Sequence, residues 1–298
     1  MRNVKIITDS CSDLDPALME EYDVDYAKMT TMLDGRSAPA LLTWSPQEVH
    51  TFFDTIRAGN RITTTQVPPE EFQRVFEKYL SAGYDIVYIA CSSKQSGSVN
   101  TGAVVAQKLA ETYPDGKVYC IDSLNGSYGE GILALEASRY AKTGKSAAEV
   151  AEYITGIRNN VIQYITVHTL EYLKRAGRVS ASSAFFGNLM GVKPILISDA
   201  NGVQTPIKKV KGRQASFREI IAQLKENIVE PEKQMVYVVH ADCAPEEVRT
   251  LVDGIKSEVP CRDVKVWYIG PIIGASIGPD AIGAFAFGKT VTYELKES

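Results

Sequence analysis

Short polar clusters in this sequence carry the residue types that hold a small anion. They are Thr8-Asp9-Ser10, Thr63-Thr64-Thr65-Gln66, Ser92-Ser93-Lys94-Gln95-Ser96-Gly97-Ser98 and Asp122-Ser123. Hydroxyls and the backbone N–H groups at a helix start all donate hydrogen bonds, and the helix dipole favours negative charge, so together they make a neutral cradle for a carboxylate or phosphate. Taken singly, each cluster has a plainer reading, because Ser, Thr and Asp at strand-to-helix turns are ordinary N-caps. Three of them follow strands and Thr63 to Gln66 lies between strands; their clustering on one edge favours a site, since ligands of open parallel sheets gather outside the carboxyl ends of the strands.

A second group is cationic. The segment Leu170 to Ser180 sets Arg175 and Arg178 around Gly177, where guanidinium forks either grip a carboxylate or neutralise carbonyls at a helix end. Lys208-Lys209-Val210-Lys211-Gly212-Arg213 is the densest basic stretch of an acidic chain. It reads as a solvated strand end and turn, or as a docking surface for an acidic partner or a phosphate-bearing group.

Catalytic sets are weaker. The three histidines, His50, His168 and His240, occupy no nucleophile-elbow or H-E-x-x-H setting and read as structural or surface residues. Gly144-Lys145-Ser146 has Arg139 where a phosphate loop needs its upstream glycine, and reads as a helix cap. Gly274, Gly278 and Gly283 lack dinucleotide-fingerprint spacing, leaving close backbone packing or a carboxylate nest. The cysteines, Cys11, Cys91, Cys120, Cys243 and Cys261, are scattered without a C-x-x-C pair. That pattern predicts neither a zinc site nor a disulfide framework, and Cys91 and Cys120, each ending an apolar run, read as small buried hydrophobes.

Elements of two kinds must position these groups. The first half alternates β-branched runs with amphipathic helices, the pattern of a parallel sheet covered on both faces. Strands are predicted at Val4 to Thr8, Asp85 to Cys91 and Lys117 to Ile121. Helices are predicted after the Asp15-Pro16 cap, after the capping box Ser45 to Glu48, over Pro69 to Leu80, Thr101 to Tyr113 and Gly129 to Lys142, and after a second capping box at Ser146 to Glu149. A domain boundary is placed at Asn159-Asn160. Beyond it, strands at Ile162 to Val167, Pro194 to Ser198, Gln204 to Val210, Met235 to Val239 and Val264 to Ile269 alternate with fewer helices, which predicts a mixed sheet. Gly270 to Gly288 is a glycine-rich apolar segment, followed by an expected terminal strand around Val291 to Leu295. The fold class is therefore α/β, with a parallel α/β/α domain at 1–160 and a smaller mixed-sheet α+β domain at 161–298.

Bulk properties narrow the function. With 45% hydrophobic and 23% charged residues the composition is that of a globular protein, and a net charge of −4 supplies no global field to gather nucleic acid or an anionic membrane. No apolar run reaches the roughly 18 residues of a membrane span. Met1-Arg2-Asn3-Val4 enters an apolar strand without a signal-peptide pattern, so a cytoplasmic location is expected.

In this order and spacing the segments resemble the DegV family, the fatty-acid-binding subunits of bacterial fatty acid kinase. The resemblance spans nearly the whole chain and rests on ITDSCSDL at the start, ITTTQVPPEEF from Ile62, CSSKQSGS from Cys91, LEYLKRAGRVS from Leu170, GVKPIL from Gly191 and GPIIGASIGPDAIG from Gly270. It implies a non-catalytic protein that holds a long-chain fatty acid in an apolar tunnel between its two domains. A separate ATP-dependent kinase subunit would phosphorylate the presented carboxylate, and no cofactor, metal or nucleic acid is implied. Carried over by position, the head-group ligands fall on Thr64 or Thr65 and on Ser93 beside Ser92. Ser276, Gly278 and Arg175 or Arg178 fall near the same edge, and Lys208, Lys209, Lys211 and Arg213 are the candidates for docking the kinase. Where many relatives read Thr-Ser-Gln-Pro-Ser-Pro, this chain has Thr64-Thr65-Gln66-Val67-Pro68-Pro69, which keeps the hydroxyls and alters the turn. Where the family has Gly-Thr-His-Val-Gly-Pro-Gly, it has Gly274-Ala275-Ser276-Ile277-Gly278-Pro279-Asp280, so Ser276 replaces a histidine and brings a hydrogen bond but no titratable charge. The competing reading is a stand-alone doubly wound enzyme acting on a small acid or sugar phosphate, with Asp9, Asp122 or Arg178 taking part.

Overall fold

The computed structural model describes residues 2–179 and 191–295; Ser180, the last residue of one family-like segment, lies outside them. By contact the chain divides into two units, the first from the described residues of 1–43, 64–158 and 270–272, the second from those of 44–63, 159–269 and 273–298.

The first unit begins with β1 (Asn3–Asp9), whose last five residues are all buried. A strand buried at consecutive positions is covered on both faces, here with Lys5, Thr8 and Asp9 enclosed beside Ile6 and Ile7. Then come α1 (Pro16–Tyr22), β2 (Val24–Ala27), β3 (Thr30–Leu33) and β4 (Arg36–Pro39). After α2 (Pro46–Arg57), which belongs to the second unit, the chain returns as β5 (Thr63–Thr65), α3 (Pro69–Ser81), β6 (Tyr84–Ala90), α4 (Ser98–Thr112), β7 (Val118–Asp122), α5 (Tyr128–Ala141) and α6 (Ala147–Ile157). Strands β2, β1, β6 and β7 form an all-parallel sheet in that order. Helix α3 packs on α4, and α5 packs on α1 and α6.

Local chemistry starts these helices. The Asp15 side chain accepts from Leu18 N, and both capping boxes close, Ser45 with Glu48 and Ser146 with Glu149, each satisfying backbone N–H groups that a helix start leaves without partners. Gly83, at φ +85°, turns the chain out of α3 in the left-handed region that glycine enters at no steric cost. Two expectations shift. Helix α4 starts at Ser98, three residues before Thr101, and the sequence signals none of the short strands β2, β3, β4 and β5, the last of which makes a strand of Thr63 to Thr65, expected between strands.

The second unit contains α2, β8 (Val161–Thr166), α7 (Glu171–Ala176), β9 (Val192–Ser198), β10 (Gln204–Lys211), α8 (Arg213–Asn227), β11 (Met235–His240), α9 (Pro245–Glu258), β12 (Asp263–Tyr268), most of α10 (Pro271–Ile277), and β13 (Ile282–Phe287). The strands form a six-stranded mixed sheet, β10-β9-β8-β13-β11-β12, in which only β11 and β12 pair in parallel. Phe217, Ile220, Ile221 and Leu224 of α8 and Leu251 and Ile255 of α9 form one core cluster with Ile195, Val236, Val238 and Ile282 of the sheet.

The glycine-rich segment is corrected here. It holds α10 and then β13, which pairs with β8 on one side and β11 on the other. Glycine and alanine have little strand preference of their own, and partners on both edges override it. Gly283 shows why a small residue is needed, because a Cβ there would lie 2.6 Å from Ile165 Cγ1 and 3.0 Å from the Tyr164 carbonyl oxygen. Residues Val291 to Leu295 form no strand; Val291 N and the Tyr293 carbonyl make single backbone bonds, to Asn159 O and from Ala200 N.

Candidate functional site

At the carboxyl edge of the parallel sheet, side chains stitch successive loops together. Gln66 Nε2 donates to Thr101 Oγ1 at 2.7 Å, and Val67 N donates to Ser98 Oγ at 3.2 Å. Gly97 makes room for this contact, since a Cβ on it would lie 2.2 Å from Gln66 Oε1. The threonine run therefore lies against the serine-rich turn that starts α4. On the far side, Asp122 Oδ1 accepts from Ser93 N at 3.1 Å and from Leu124 N at 3.0 Å, and Ser92 N donates to Asn125 O at 2.8 Å. Of the sequence-predicted ligands in this unit, Ser93 and Thr65 are exposed and Thr64 is half-buried. Ser92 is fully buried, its Oγ accepting from Lys94 N at 3.2 Å, so it shapes the turn from within.

The acids that the enzyme reading needs are occupied. Asp122 holds loop N–H groups, as above. Asp9 is fully buried, and its carboxylate accepts from Cys11 N at 2.9 Å, Cys91 N at 3.2 Å and the Tyr88 hydroxyl at 2.6 Å. Burial raises its pKa against the lowering effect of those bonds. Beside it lies a residue that sequence reasoning passed over. Glu130, in the first turn of α5, is 0% exposed; one carboxyl oxygen accepts from Thr8 Oγ1 at 2.6 Å, and burial, followed by the nearby Asp9 charge, pushes its pKa well above the carboxylate range. Asp13, at φ 51°, accepts from Ser127 Oγ at 2.6 Å and Gly270 N at 2.8 Å, and burial raises its pKa to about 8. Glu130 carried no motif; only its placement between Thr8 and the cysteine-bearing turns marks it.

In the second unit a different cluster forms. Gly278, at φ +79°, lets the Tyr172 ring of α7 approach so closely that a Cβ would lie 2.2 Å from Cδ2, which bears out close packing for this glycine. The Arg175 guanidinium stands 5.7 Å from the same ring centroid. Ser276 is half-buried near the end of α10, two residues before Gly278. Arg178 is exposed, and its N–H caps α7 by donating to Leu173 O at 3.1 Å. The structure thus brings Arg175, Tyr172 and Gly278 together and leaves Arg178 at the helix end.

The basic stretch separates. Lys208, Lys209 and Lys211 are exposed on β10, an edge strand, with Lys208 paired to Glu219 at 2.8 Å. Lysines on an edge also discourage pairing with other strands. Arg213 turns inward, donating to Glu247 at 2.9 Å and to Asp280 O at 2.7 Å and lying 4.9 Å from the Phe217 ring centroid. Of the histidines, His50 and His168 are exposed and His240 is buried, its pKa lowered to about 4 by desolvation. A cavity of about 320 Å³ lies beside Arg2, Tyr22, Tyr84 and Lys142, and one of about 260 Å³ beside Ile162, Ile197, Ile207 and Tyr293; neither is lined by Thr64, Ser93 or Ser276. Among the described residues, no helix is long and apolar enough to cross a membrane.

The family model described as "Uncharacterised protein, DegV family" matches residues 3–289. The chain belongs to the DegV family. It is 31% identical, over 97% of its length and 99% of the relative's, to the DegV domain-containing protein CPE0026 of Clostridium perfringens. Its fold is that of solved family members. A DegV lipid-binding protein from Thermotoga maritima matches with a TM-score of 0.84 at 27% identity, and a fatty-acid-binding DegV protein from Thermus thermophilus with a TM-score of 0.85 at 26% identity; each match covers 97% of this chain and 100% of the other.

Proposed function

We propose that this DegV protein is a cytoplasmic carrier that binds a long-chain fatty acid, transforms nothing by itself, and presents the carboxylate to a separate ATP-dependent kinase subunit for acyl phosphate formation. The observation that carries the reading is the joined hydroxyl edge of the first unit, where the loop bearing Thr64 and Thr65 is bonded to the turn that follows Ser93. The lipid- and fatty-acid-binding descriptions of the Thermotoga and Thermus proteins support it. Thr64, Thr65 and Ser93 are the proposed head-group ligands, Ser92 fixes their turn, and Ser276, Gly278 and Arg175 or Arg178 are further candidate contacts with the lipid. Lys208, Lys209 and Lys211 are the docking residues for the kinase; Arg213, turned inward, supports the strand that carries them.

Energetics assign the roles. Burying about ten methylenes is worth on the order of 8 kcal/mol before ordering costs. Each charge-assisted hydrogen bond to the carboxylate returns about 1.5–3 kcal/mol against its desolvation. The chain therefore dominates retention, and the hydroxyls orient the acid for the phosphoryl donor. Organic extraction of the purified protein followed by mass spectrometry tests the binding step: a stoichiometric fatty acid is expected, and a lipid-free protein that also takes up no added fatty acid overturns the reading. Acyl phosphate formation with the kinase subunit and ATP, absent without either protein, tests the presentation step.

A further inference from the structure

Two cysteines that are 80 residues apart in sequence meet at the edge of the parallel sheet. Asp9 brings them together, because one carboxylate accepts the backbone N–H of Cys11 through Oδ1 and that of Cys91 through Oδ2, with the Tyr88 hydroxyl fixing its orientation. The thiols then project into the same space as Glu130: a sulfur of Cys11, a sulfur of Cys91 and a carboxyl oxygen of Glu130 all lie within 4.8 Å of one another. All three residues are at most 3% exposed. The Met29 thioether is 3.5 Å from the Cys11 sulfur.

Glu130 gives a second, independent sign of a ligand. Its Oε1 is satisfied by Thr8 Oγ1 and Asp9 N, but its Oε2, fully buried, has no hydrogen-bond partner. A buried carboxyl oxygen left alone costs about 1–3 kcal/mol, and native structures leave few such groups without a compensating partner.

We propose that Cys11, Cys91 and Glu130 form a binding site for zinc(II), with the Met29 thioether or a water as the fourth ligand. Two thiolates and one carboxylate are a donor set that suits a thiophilic divalent ion. With Zn–S near 2.3 Å and Zn–O near 2.0–2.2 Å, tetrahedral geometry sets ligand atoms about 3.5–3.8 Å apart, so atoms within 4.8 Å of one another need to close by no more than about 1.3 Å. Binding exchanges protons for the ion: two thiols and one carboxylic acid release three protons as the two sulfurs and one oxygen take up Zn²⁺, with no change of oxidation state. The ligands must shed their protons to take up the ion, so affinity rises with pH. The site is independent of the fatty-acid reading. The other group of such side chains among the described residues, His50 with Asp54 and Asp242, is already neutralised by Arg57, whose guanidinium lies 2.6 Å from Asp242 and 3.1 Å from Asp54.

The test uses the full chain, fully reduced and stripped with a chelator, in equilibrium dialysis against zinc(II), with cobalt(II) titrated in parallel. One zinc ion per chain and a thiolate-to-cobalt charge-transfer absorption are expected. Cys11→Ser, Cys91→Ser and Glu130→Gln should each weaken zinc binding by more than about a hundredfold, beyond the usual cost of losing an outer-shell partner, while His50→Ala leaves it unchanged. Absence of stoichiometric uptake, absence of the thiolate band, or uptake indifferent to Cys91→Ser overturns the site. Should Cys11→Ser fail to fold, Glu130→Gln decides, and unaltered affinity in that variant overturns it.

Discussion

The two units bury charge in opposite ways. Among the described residues, the first encloses four acids, Asp9, Asp13, Asp15 and Glu130, each at most 1% exposed, at the loops that follow β1 and at the start of α5. The second encloses one acid, Asp199, whose carboxylate bonds Asn201 N and Val203 N in its own loop, together with His240. Its ion pairs keep some exposure, both where Arg57 joins Asp242 and Asp280 and where Arg213 joins Glu247. An apolar core gains stability from packing alone, whereas buried acids need every donor around them and concentrate polar strain where a ligand is to be held. The first unit accordingly encloses more acidic groups among its apolar side chains than the second does.

The sharpest way to break this contrast is to empty the apolar core. Phe217→Ala, at a side chain 1% exposed in the α8 cluster, should cost about 3–5 kcal/mol in denaturant unfolding of the second unit. Both tryptophans, Trp44 and Trp267, belong to that unit, so their fluorescence reports it separately. Gly278→Ala comes next, at about 1–3 kcal/mol, because its Cβ must displace the Tyr172 ring and its φ of +79° strains an L side chain; an unshifted midpoint would show that ring and backbone both relax.

pH separates the units by sign. Asp13 has its folded pKa raised to about 8 from 3.8, so its share of stability is present below pH 3.8 and is lost as pH rises through about 8. His240 is lowered to about 4 from 6.5, so its share is present above pH 6.5 and is lost as pH falls through about 4. Peptide-resolved hydrogen exchange should show β1 and α5 loosening from pH 4 to 8 and β11 loosening from pH 6.5 to 4. Asp13→Asn should flatten the first slope and leave the second intact. The smallest effect is expected at Ser93→Ala, which should alter acyl phosphate formation by the kinase while leaving bound lipid nearly unchanged. A folded variant that emerges without lipid would assign retention to the hydroxyls instead of the chain.

Much of the fold was legible because its signals are local. Capping boxes at Ser45 and Ser146, the Asp15-Pro16 start and the apolar or β-branched stretches of β1, β6, β8, β9, β11 and β12 each announce themselves within a few residues. Strand β13 did not, since a sequence as poor in β-branched residues as IGAFAF becomes a strand only when β8 and β11 flank it. The hydroxyl clusters were visible as candidates, but that Ser92 turns inward and Ser93 outward is decided by the loop bonds to Asn125 and Asp122. Arg213 looked equivalent to the lysines before it, and only the position of Glu247 and Asp280 shows that it faces the interior.

The sequence alone settled that this chain would build a parallel sheet followed by a mixed one, and it supplied the family, because periodicity and ordered motifs are properties of neighbours along the chain. Which acids are enclosed, which serine faces outward, and that Cys11 and Cys91 share one space with Glu130 were decided only by the tertiary structure. Strand pairing brings together groups far apart in sequence, and burial then sets their protonation, two effects that no local spacing contains.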